Sequence, residues 1–375
     1  MNIIKHMEVI VFFTYGYSLE TWKDTGTLKR ELEIYRVLNS NYDIKFTFLT
    51  YGNIKDLEFD IGIENSEIVP IYSLMKFNKN KYLRYFNSFT IPFRLKKIIK
   101  KSDVIHQHQL QGAWVAILCK ILFKKKLYVR TGYDMYEFSK NQQKSLFIQY
   151  LYKILTKITL FFSDIYTVTS ENDKNLFKEN KKIKVRANWV YKLELQNFSS
   201  RYSNRLLSIG RLEDQKNYEY LIKEFKNTKD YLTIDIYGSG SKLNTLMNQA
   251  YNMDVALNIY ESVEHDELLK IYPKYKFFVT TSLYEGNPKT VLEAMAAGCI
   301  VIASNIANHA ELIKNNINGY LYDLNENNLL NLYKEVKDNI ILEKISTKAS
   351  IEVDKKNSLN FIASTTYKDY LSITK

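Results

Sequence analysis

Along nearly the whole chain, short runs of β-branched and aromatic residues alternate with longer stretches whose apolar residues recur at helical spacing. Strands buried on both faces read as continuous apolar runs, so this alternation predicts parallel sheets with helical crossovers, an α/β fold. In the first half, strands are expected at 8–13, 45–50, 104–106, 127–130 and 165–169. Between the first two, Leu28, Leu32, Tyr35 and Leu38 share one face of a helix over 27–38. A second series begins at 206–209 and continues at 233–237, 258–260, 277–280 and 300–303. The chain therefore reads as two Rossmann-like units in series, residues 1–192 and 200–356, joined near 188–204. In open α/β sheets ligands sit beyond the C-terminal strand ends, so the two units are expected to face each other across a cleft.

The run at 7–13 has the look of a signal-peptide core, but Tyr15-Gly16-Tyr17 follows it in place of a small-residue cleavage site. A buried first strand is the expected reading. The longest near-apolar window, 146–163, carries Lys153 and Lys157, so no membrane-spanning helix is expected. At 375 residues the chain exceeds one ordinary core, and 46% hydrophobic with 25% charged residues is a globular composition. Only 4 prolines and 12 glycines leave no room for a long flexible linker. Cys119 and Cys299 each lie in an apolar run; two cysteines build no disulfide framework and suit a reducing, cytoplasmic compartment. The formal net charge of +12 is unevenly spread. Residues 76–192 hold 25 Lys and Arg against 7 Asp and Glu, a local net of +18, while the remainder carries −6. One face is thereby set for something anionic: a bilayer surface, nucleic acid or a phosphorylated substrate.

The segment 280–304, TTSLYEGNPKTVLEAMAAGCIVIAS, carries the strongest chemical pattern. A strand ends near Thr281 and a loop bears Glu285 and Gly286; Asn287 is suited to cap a helix and Pro288 to begin it, with Gly298 closing it. The free N–H groups of Lys289 and Thr290 would then form an anion site that needs no metal. Glu285 and Glu293 are suited to accept hydrogen bonds from vicinal hydroxyls. The plain alternative is two solvated glutamates on an ordinary strand-loop-helix. The whole E-G-x-P-x-x-x-L-E-A-M-A-x-G run resembles the E-x7-E signature of glycosyltransferase family 4.

Other segments agree with that resemblance. In 206–225, Arg211 and Lys216 follow a strand and a glycine, at the family's diphosphate-binding G-R-L-x-x-x-K positions. Tyr237-Gly238-Ser239-Gly240 follows another strand; Leu243 breaks a dinucleotide fingerprint, and the turn is similar instead to the family's G-x-G beside the nucleotide. Glycines there either admit a ligand or simply make a tight turn. The stretch 262–268, with Val263, resembles the loop at the base edge, although the glycine usual before the valine is absent. In the first half, His108 matches the histidine that faces the donor sugar, and His106 reads as structural. Gly26 and Thr27 stand where the family has a glycine-rich loop near diphosphate and acceptor. Tyr133 lies in an acceptor-side segment, 130–134, in which Gly132 stands near the place of a frequent histidine.

The resemblance implies a GT-B fold and a retaining, hexosyltransferase-type enzyme, with a C-terminal helix near 357–375 crossing back to the first unit. The donor implied is a nucleotide diphosphate sugar, a UDP-sugar, with Glu285 beside its sugar hydroxyls and Glu293 beside its ribose. His108, Glu285, Arg211 and Lys216 would be the catalytic set. No cofactor is implied, and with no D-x-D pair in the chain no metal is expected. The acceptor expected is a glycan, a lipid-linked or cell-surface polysaccharide intermediate. The stretch 82–100 mixes aromatics with Arg84, Arg94, Lys96, Lys97 and Lys100, a pattern that suits an anionic bilayer and a peripheral place on the inner face of the cytoplasmic membrane. Nucleic acid is not expected as a partner, because the second half already carries a small-ligand site. The competing reading is a GT-B subunit that binds a nucleotide sugar without transferring it.

Overall fold

The structure is a computed structural model describing residues 6–177, 180–326 and 328–375; parts of the first expected domain, 1–5 and 178–179, lie outside the described residues. Contacts divide the chain into two compact units, Met1–Ala187 with Leu359–Lys375, and Asn188–Ser358. The division falls five residues before the end of the first domain read from sequence.

The first unit holds strands β1 (Met7–Phe12), β2 (Ile44–Thr50), β3 (Glu67–Pro70), β4 (Val104–His108), β5 (Lys126–Arg130), β6 (Ile165–Val168) and β7 (Ile183–Val185). They form one parallel sheet in the order β3-β2-β1-β4-β5-β6-β7. The second unit holds β8 (Tyr202–Ile209), β9 (Thr233–Tyr237), β10 (Ala256–Tyr260), β11 (Tyr275–Thr280), β12 (Ile300–Ser304) and β13 (Tyr320–Tyr322). Its parallel order is β10-β9-β8-β11-β12-β13. Both are Rossmann-like sheets, and the strand order reverses once in each, at β1/β4 and at β8/β11. Beyond such a reversal the flanking loops diverge and leave a crevice at the strand ends. Of the expected site residues, His108 ends β4, Arg211 and Lys216 follow β8, and Glu285 to Glu293 follow β11.

Three strands escaped the pattern reading: β3, β7 and β13. All are short and lie at a sheet edge, where one side lacks a partner and the apolar run shrinks; β3 ends in Pro70, which an edge tolerates. β4 runs two residues farther than expected, because Gln107 and His108 pair with Val129 and Arg130 on β5. The first long helix spans Leu28–Tyr42, and a short one, Leu19–Asp24, precedes it behind a Ser18/Thr21 capping box.

The C-terminal stretch is split. Helix Leu342–Asn357 belongs to the second unit, where Ser350 Oγ donates to Ala296 O at 3.0 Å and Ser346 Oγ to Gly298 O at 2.6 Å. Helix Leu359–Thr374 belongs to the first. There Tyr367 stacks on Tyr42 at 4.3 Å between ring centroids, and the buried Tyr370 hydroxyl is hydrogen-bonded to His106 Nδ1 at 2.5 Å. Burial pushes His106 well below its ordinary pKa, so this ring is a neutral core residue. Asp369, also buried, accepts from Arg186 Nε and Nη2 at 2.7 Å and from Lys184 Nζ at 2.9 Å.

Because Arg186 and Lys184 neutralise a carboxylate without access to water, Asp369→Ala strands two cations against β7. It is expected to destabilise the first unit by about 3 kcal/mol. Urea unfolding monitored by circular dichroism measures this; a change within about 0.5 kcal/mol would mean that the helix is held by packing alone.

Candidate functional site

In the second unit the loops after β8 and β11 lock together. After Ile209, the chain passes Gly210, where an added Cβ would lie 2.7 Å from Lys216 Cε, so the lysine stem runs tightly over the backbone. Residues Asp214–Lys216 form a 3-10 turn that ends at Asn217, in the left-handed region at φ 52°. This geometry turns Lys216 inward and leaves Arg211 exposed. Thr281 Oγ1, just past β11, donates to the carbonyls of Lys216 at 2.7 Å and Asn217 at 3.0 Å.

Glu285 is the focus of that clamp. Lys216 Nζ lies 2.5 Å from its Oε1, to which Ser282 Oγ also donates at 2.7 Å, and Gln215 Nε2 donates to Oε2 at 3.3 Å. Burial alone would raise the Glu285 pKa; the Lys216 charge and hydrogen bond, with that of Ser282, hold it below the usual carboxylate range. Gln215 also accepts from Arg211 Nη2 at 3.2 Å, so it connects Arg211 to Glu285, which Lys216 meets directly. Sequence reading passed over Gln215 and Ser282, since an amide and a hydroxyl in a loop carry no pattern of their own. It also missed His309, fully buried on the short helix Ala307–Leu312. His309 Nδ1 donates to Ser304 O at 2.8 Å; its Nε2 is buried without a hydrogen-bond partner among the described residues. Burial pushes its pKa down, and the charges that act on it are those of Glu285 and Lys216.

Two expectations are corrected here. The helix spans Lys289–Ala296, and its N-cap is Pro288, whose ψ of 99° is extended, not helical. Asn287 is therefore no cap. Its Oδ1 accepts from the Asn188 N–H at 2.8 Å and its carbonyl from Asn188 Nδ2 at 2.8 Å, which pins the loop to the segment entering this unit. Lys289 and Thr290 are the first two helical residues; the Lys289 ammonium lies over the Trp189 ring, 4.2 Å from its centroid. Gly286 is buried, and its carbonyl accepts from Asn308 Nδ2 at 2.5 Å.

Glu293, expected to meet a diol, is 4% exposed with both oxygens engaged. His265 Nε2 lies 2.7 Å from Oε1, and the Tyr272 hydroxyl donates to Oε2 at 2.9 Å. Burial opposes its charge, but the His265 hydrogen bond, followed by the Lys289 charge, holds its pKa low. Position 293 lies beyond the first turn of the element, where side chains on the core face pack against neighbours. Glu293 thus fixes His265, at the start of the helix that follows half-buried Val263.

Neither Gly238 nor Gly240 has room for a side chain. A Cβ on Gly238 would fall 1.9 Å from Gly210 O, and one on Gly240 2.6 Å from Leu212 O. The loops after β8 and β9 run in backbone contact, with Gly210 N donating to Tyr237 O at 3.1 Å and Leu212 N to Ser239 O at 3.0 Å. The glycines serve that contact.

In the first unit His108 closes β4 and is 5% exposed. Its Nε2 lies 3.3 Å from Glu31 Oε2 and 3.4 Å from Arg130 Nη1, with the Trp22 ring edge-on at 5.5 Å. Glu31 sits in the first turn of helix Leu28–Tyr42, a position the sequence reading did not single out. Burial would raise its pKa, yet the hydrogen bond from His108 and the charges of Arg30 and Arg130 hold it well below the carboxylate range. In the neutral tautomer whose Nε2–H donates to Glu31, His108 Nδ1 is left as a buried acceptor without a partner among the described residues. Gly26 adopts φ 64° at the turn between the first two helices, and Thr27 Oγ1 turns back to Trp22 O at 3.3 Å. Tyr133 packs on Phe138 at 4.2 Å, outside the His108–Glu31 pair, and the Gly132 N–H donates to Gln109 Oε1 at 2.8 Å.

The second unit thus sets a cationic loop against the Glu285 carboxylate at its strand-order reversal, and the first sets His108 against Glu31 at its own. Known proteins give the class. A family model described as Glycosyl transferases group 1 matches residues 195–346, and one described as Glycosyl transferase 4-like matches 58–165. The chain belongs to the family 4-type glycosyltransferases. It is 30% identical over 134 residues to the GtfA subunit of the UDP-N-acetylglucosamine–peptide N-acetylglucosaminyltransferase of Streptococcus agalactiae, a stretch covering 35% of this chain but only 26% of that relative. It is 26% identical over 281 residues to the UDP-Gal:alpha-D-GlcNAc-diphosphoundecaprenol alpha-1,3-galactosyltransferase of Escherichia coli, covering 67% of this chain and 71% of that one. The solved structure of Anabaena HepE in complex with UDP and glucose superposes with a TM-score of 0.72 at 13% identity, over 98% of this chain and 100% of that one. That likeness shows the fold, GT-B.

Because the Glu285 side chain is only 10% exposed and Lys216 neutralises it, Lys216→Ala is expected to destabilise the second unit by about 3 kcal/mol. Arg211→Ala, at an exposed position, should stay within about 0.5 kcal/mol. Adding Glu285→Gln to Lys216→Ala should restore much of the loss; additive effects in this thermal-unfolding cycle would exclude the pairing. The pKa values of Glu31, Glu285 and Glu293 are lowered in the folded state. Each therefore contributes stability above the unfolded carboxylate value of about 4, lost as pH falls through the lowered folded values. Glu31→Gln should flatten that acid-limb loss in pH-dependent urea unfolding. An unchanged slope would place the Glu31 charge outside the balance.

Proposed function

We propose that this chain is a retaining, metal-independent hexosyltransferase that moves a sugar from a UDP-sugar to a glycan acceptor, a lipid-linked intermediate of a surface polysaccharide. The observation carrying this reading is the convergence of Arg211, Gln215, Lys216 and Glu285 beside β8 and β11. Arg211 and Lys216, with the N–H groups of Lys289 and Thr290, take the donor diphosphate, whose charge grows as its bond to the sugar breaks. When Lys216 turns to that phosphate, the Glu285 carboxylate loses its cation and accepts hydrogen bonds from the sugar hydroxyls instead. Glu293 acts at a distance, holding through His265 the loop with Val263 that receives the nucleoside.

In the proposed step the acceptor hydroxyl attacks the anomeric carbon on the face the diphosphate leaves. The new carbon–oxygen bond forms as the bond to phosphate breaks, and a departing phosphate oxygen takes the acceptor proton. The protein positions the reactants and balances charge. His108, oriented by Glu31, offers its ring to a donor-sugar hydroxyl, and Gly26, Thr27 and Tyr133 serve the acceptor side. The names of the Escherichia coli relative, which acts on a diphosphoundecaprenol substrate, and of the UDP-bound Anabaena structure support the donor and acceptor classes. The basic run of helices Lys81–Ser88, Ile91–Arg94 and Lys96–Lys101 supports a peripheral place on an anionic, cytoplasmic membrane face.

A thermal-shift panel of UDP-, GDP- and ADP-sugars tests the donor; stabilisation by UDP-sugars is expected, and preference for another base overturns that part. With donor and acceptor in hand, Arg211→Ala should lower turnover by about 10²–10³. Activity should survive excess EDTA, and loss with rescue by Mg²⁺ or Mn²⁺ would refute the charge scheme. Tight donor binding without turnover on any glycan would favour the non-catalytic subunit.

A further inference from the structure

Helix Leu146–Phe162 is apolar on its outward face as well as on its inward one. Its buried side chains are Thr156 and Thr159. Leu146, Phe147, Tyr150 and Phe161 are 81%, 70%, 62% and 73% exposed, and Leu151 and Ile158 are also exposed. At about 100° per residue these six fall within an arc of about 140°. Leu160 and Phe162 also pack on the core, but an amphipathic helix in water keeps its outer face polar, and this one does not. The surface extends to Ile121 and Leu122 on helix Ala113–Phe123, which packs against this one. Tyr82, Leu83 and Phe86 on helix Lys81–Ser88 are exposed too, and that helix reaches the same neighbour through Tyr85 and Trp114, 5.1 Å between ring centroids.

Charge selects the occupant. The apolar arc lies in the +18 stretch, and Lys157 stands within it while Lys153 borders it. Lysine is depleted at the centre of protein interfaces, whereas at a bilayer its stem lies along the apolar face and its ammonium reaches the headgroups. No helix among the described residues is long and apolar enough to cross a membrane, so this one would lie in the plane of the interface.

We propose that helix Leu146–Phe162 seats its Phe147–Tyr150–Leu151 face in the acyl boundary of an anionic bilayer. The inference rests on the peripheral-membrane reading above and adds a hydrophobic, salt-resistant component to it. The test uses the full chain and vesicles of equimolar phosphatidylcholine and phosphatidylglycerol. A Phe147→Trp reporter should shift its emission to the blue and be quenched by lipids brominated on their acyl chains. At high salt the wild type should keep measurable binding, and replacing Phe147, Tyr150 and Leu151 with Ser should lower it by about tenfold. Replacing Arg94, Lys96, Lys97 and Lys100 with Gln should lower binding mainly at low salt. Cosedimentation that vanishes at high salt, with the reporter indole still in water, overturns the insertion but leaves the charge reading standing. No binding to any vesicle overturns both. A dimer in light scattering that the serine variant splits assigns the face to a second copy and overturns the proposal. Donor binding in the thermal-shift panel is independent of all these arms.

Discussion

A carboxylate taken out of water keeps its charge only when a cation or several hydrogen bonds come with it, and Glu285 obtains both with the help of a loop far earlier in the chain. Lys216 and Gln215 reach it from beyond β8, and Ser282 from beyond β11. These contacts exist because the parallel sheet places β8 beside β11 although β9 and β10 lie between them in the chain. The Gly210 loop must then fit under the Lys216 stem, and Gly238 and Gly240 must lack side chains for the next loop to pair with it. The Lys289–Ala296 helix begins shortly beyond Glu285. The order of the second unit around its strand ends follows from that one ion pair and the crossing that permits it.

The first unit repeats the logic with a different pair. His108 stands at the last rung of β4, opposite Arg130 on β5, and Glu31 comes from the long helix between β1 and β2. Burial would neutralise Glu31, but the histidine and two arginines keep it charged, and the same contact fixes which way the ring faces. In both units a titratable pair sits where the strand order reverses, which is where side chains from non-adjacent segments converge without filling the core.

Away from these sites the first unit presents a surface unlike that of a protein built for water alone. Helix Leu146–Phe162 packs Leu160 and Phe162 on the core and still exposes Leu146, Phe147, Tyr150 and Phe161, within a region dense in lysine. The exposed apolar arc is as much a property of the fold as the buried ion pairs are.

The local pattern of the sequence determined the class of fold, ten of the thirteen strands among the described residues and the place of Arg211, Lys216, Glu285 and His108 at or just past strand ends, because strand runs and motif spacing are written in neighbouring residues. Edge strands β3, β7 and β13 were not legible, since an edge needs no continuous apolar run. Pairings were not legible either. That Glu293 faces His265 and Tyr272 and not open space, that Asn287 binds Asn188 and does not cap its helix, and that Glu31 and Gln215 complete the two sites all depend on segments brought together across the sheet. Sequence spacing sets which residues a helix or loop carries; only tertiary packing decides which of its faces is withdrawn from water, and with it which charges must find partners.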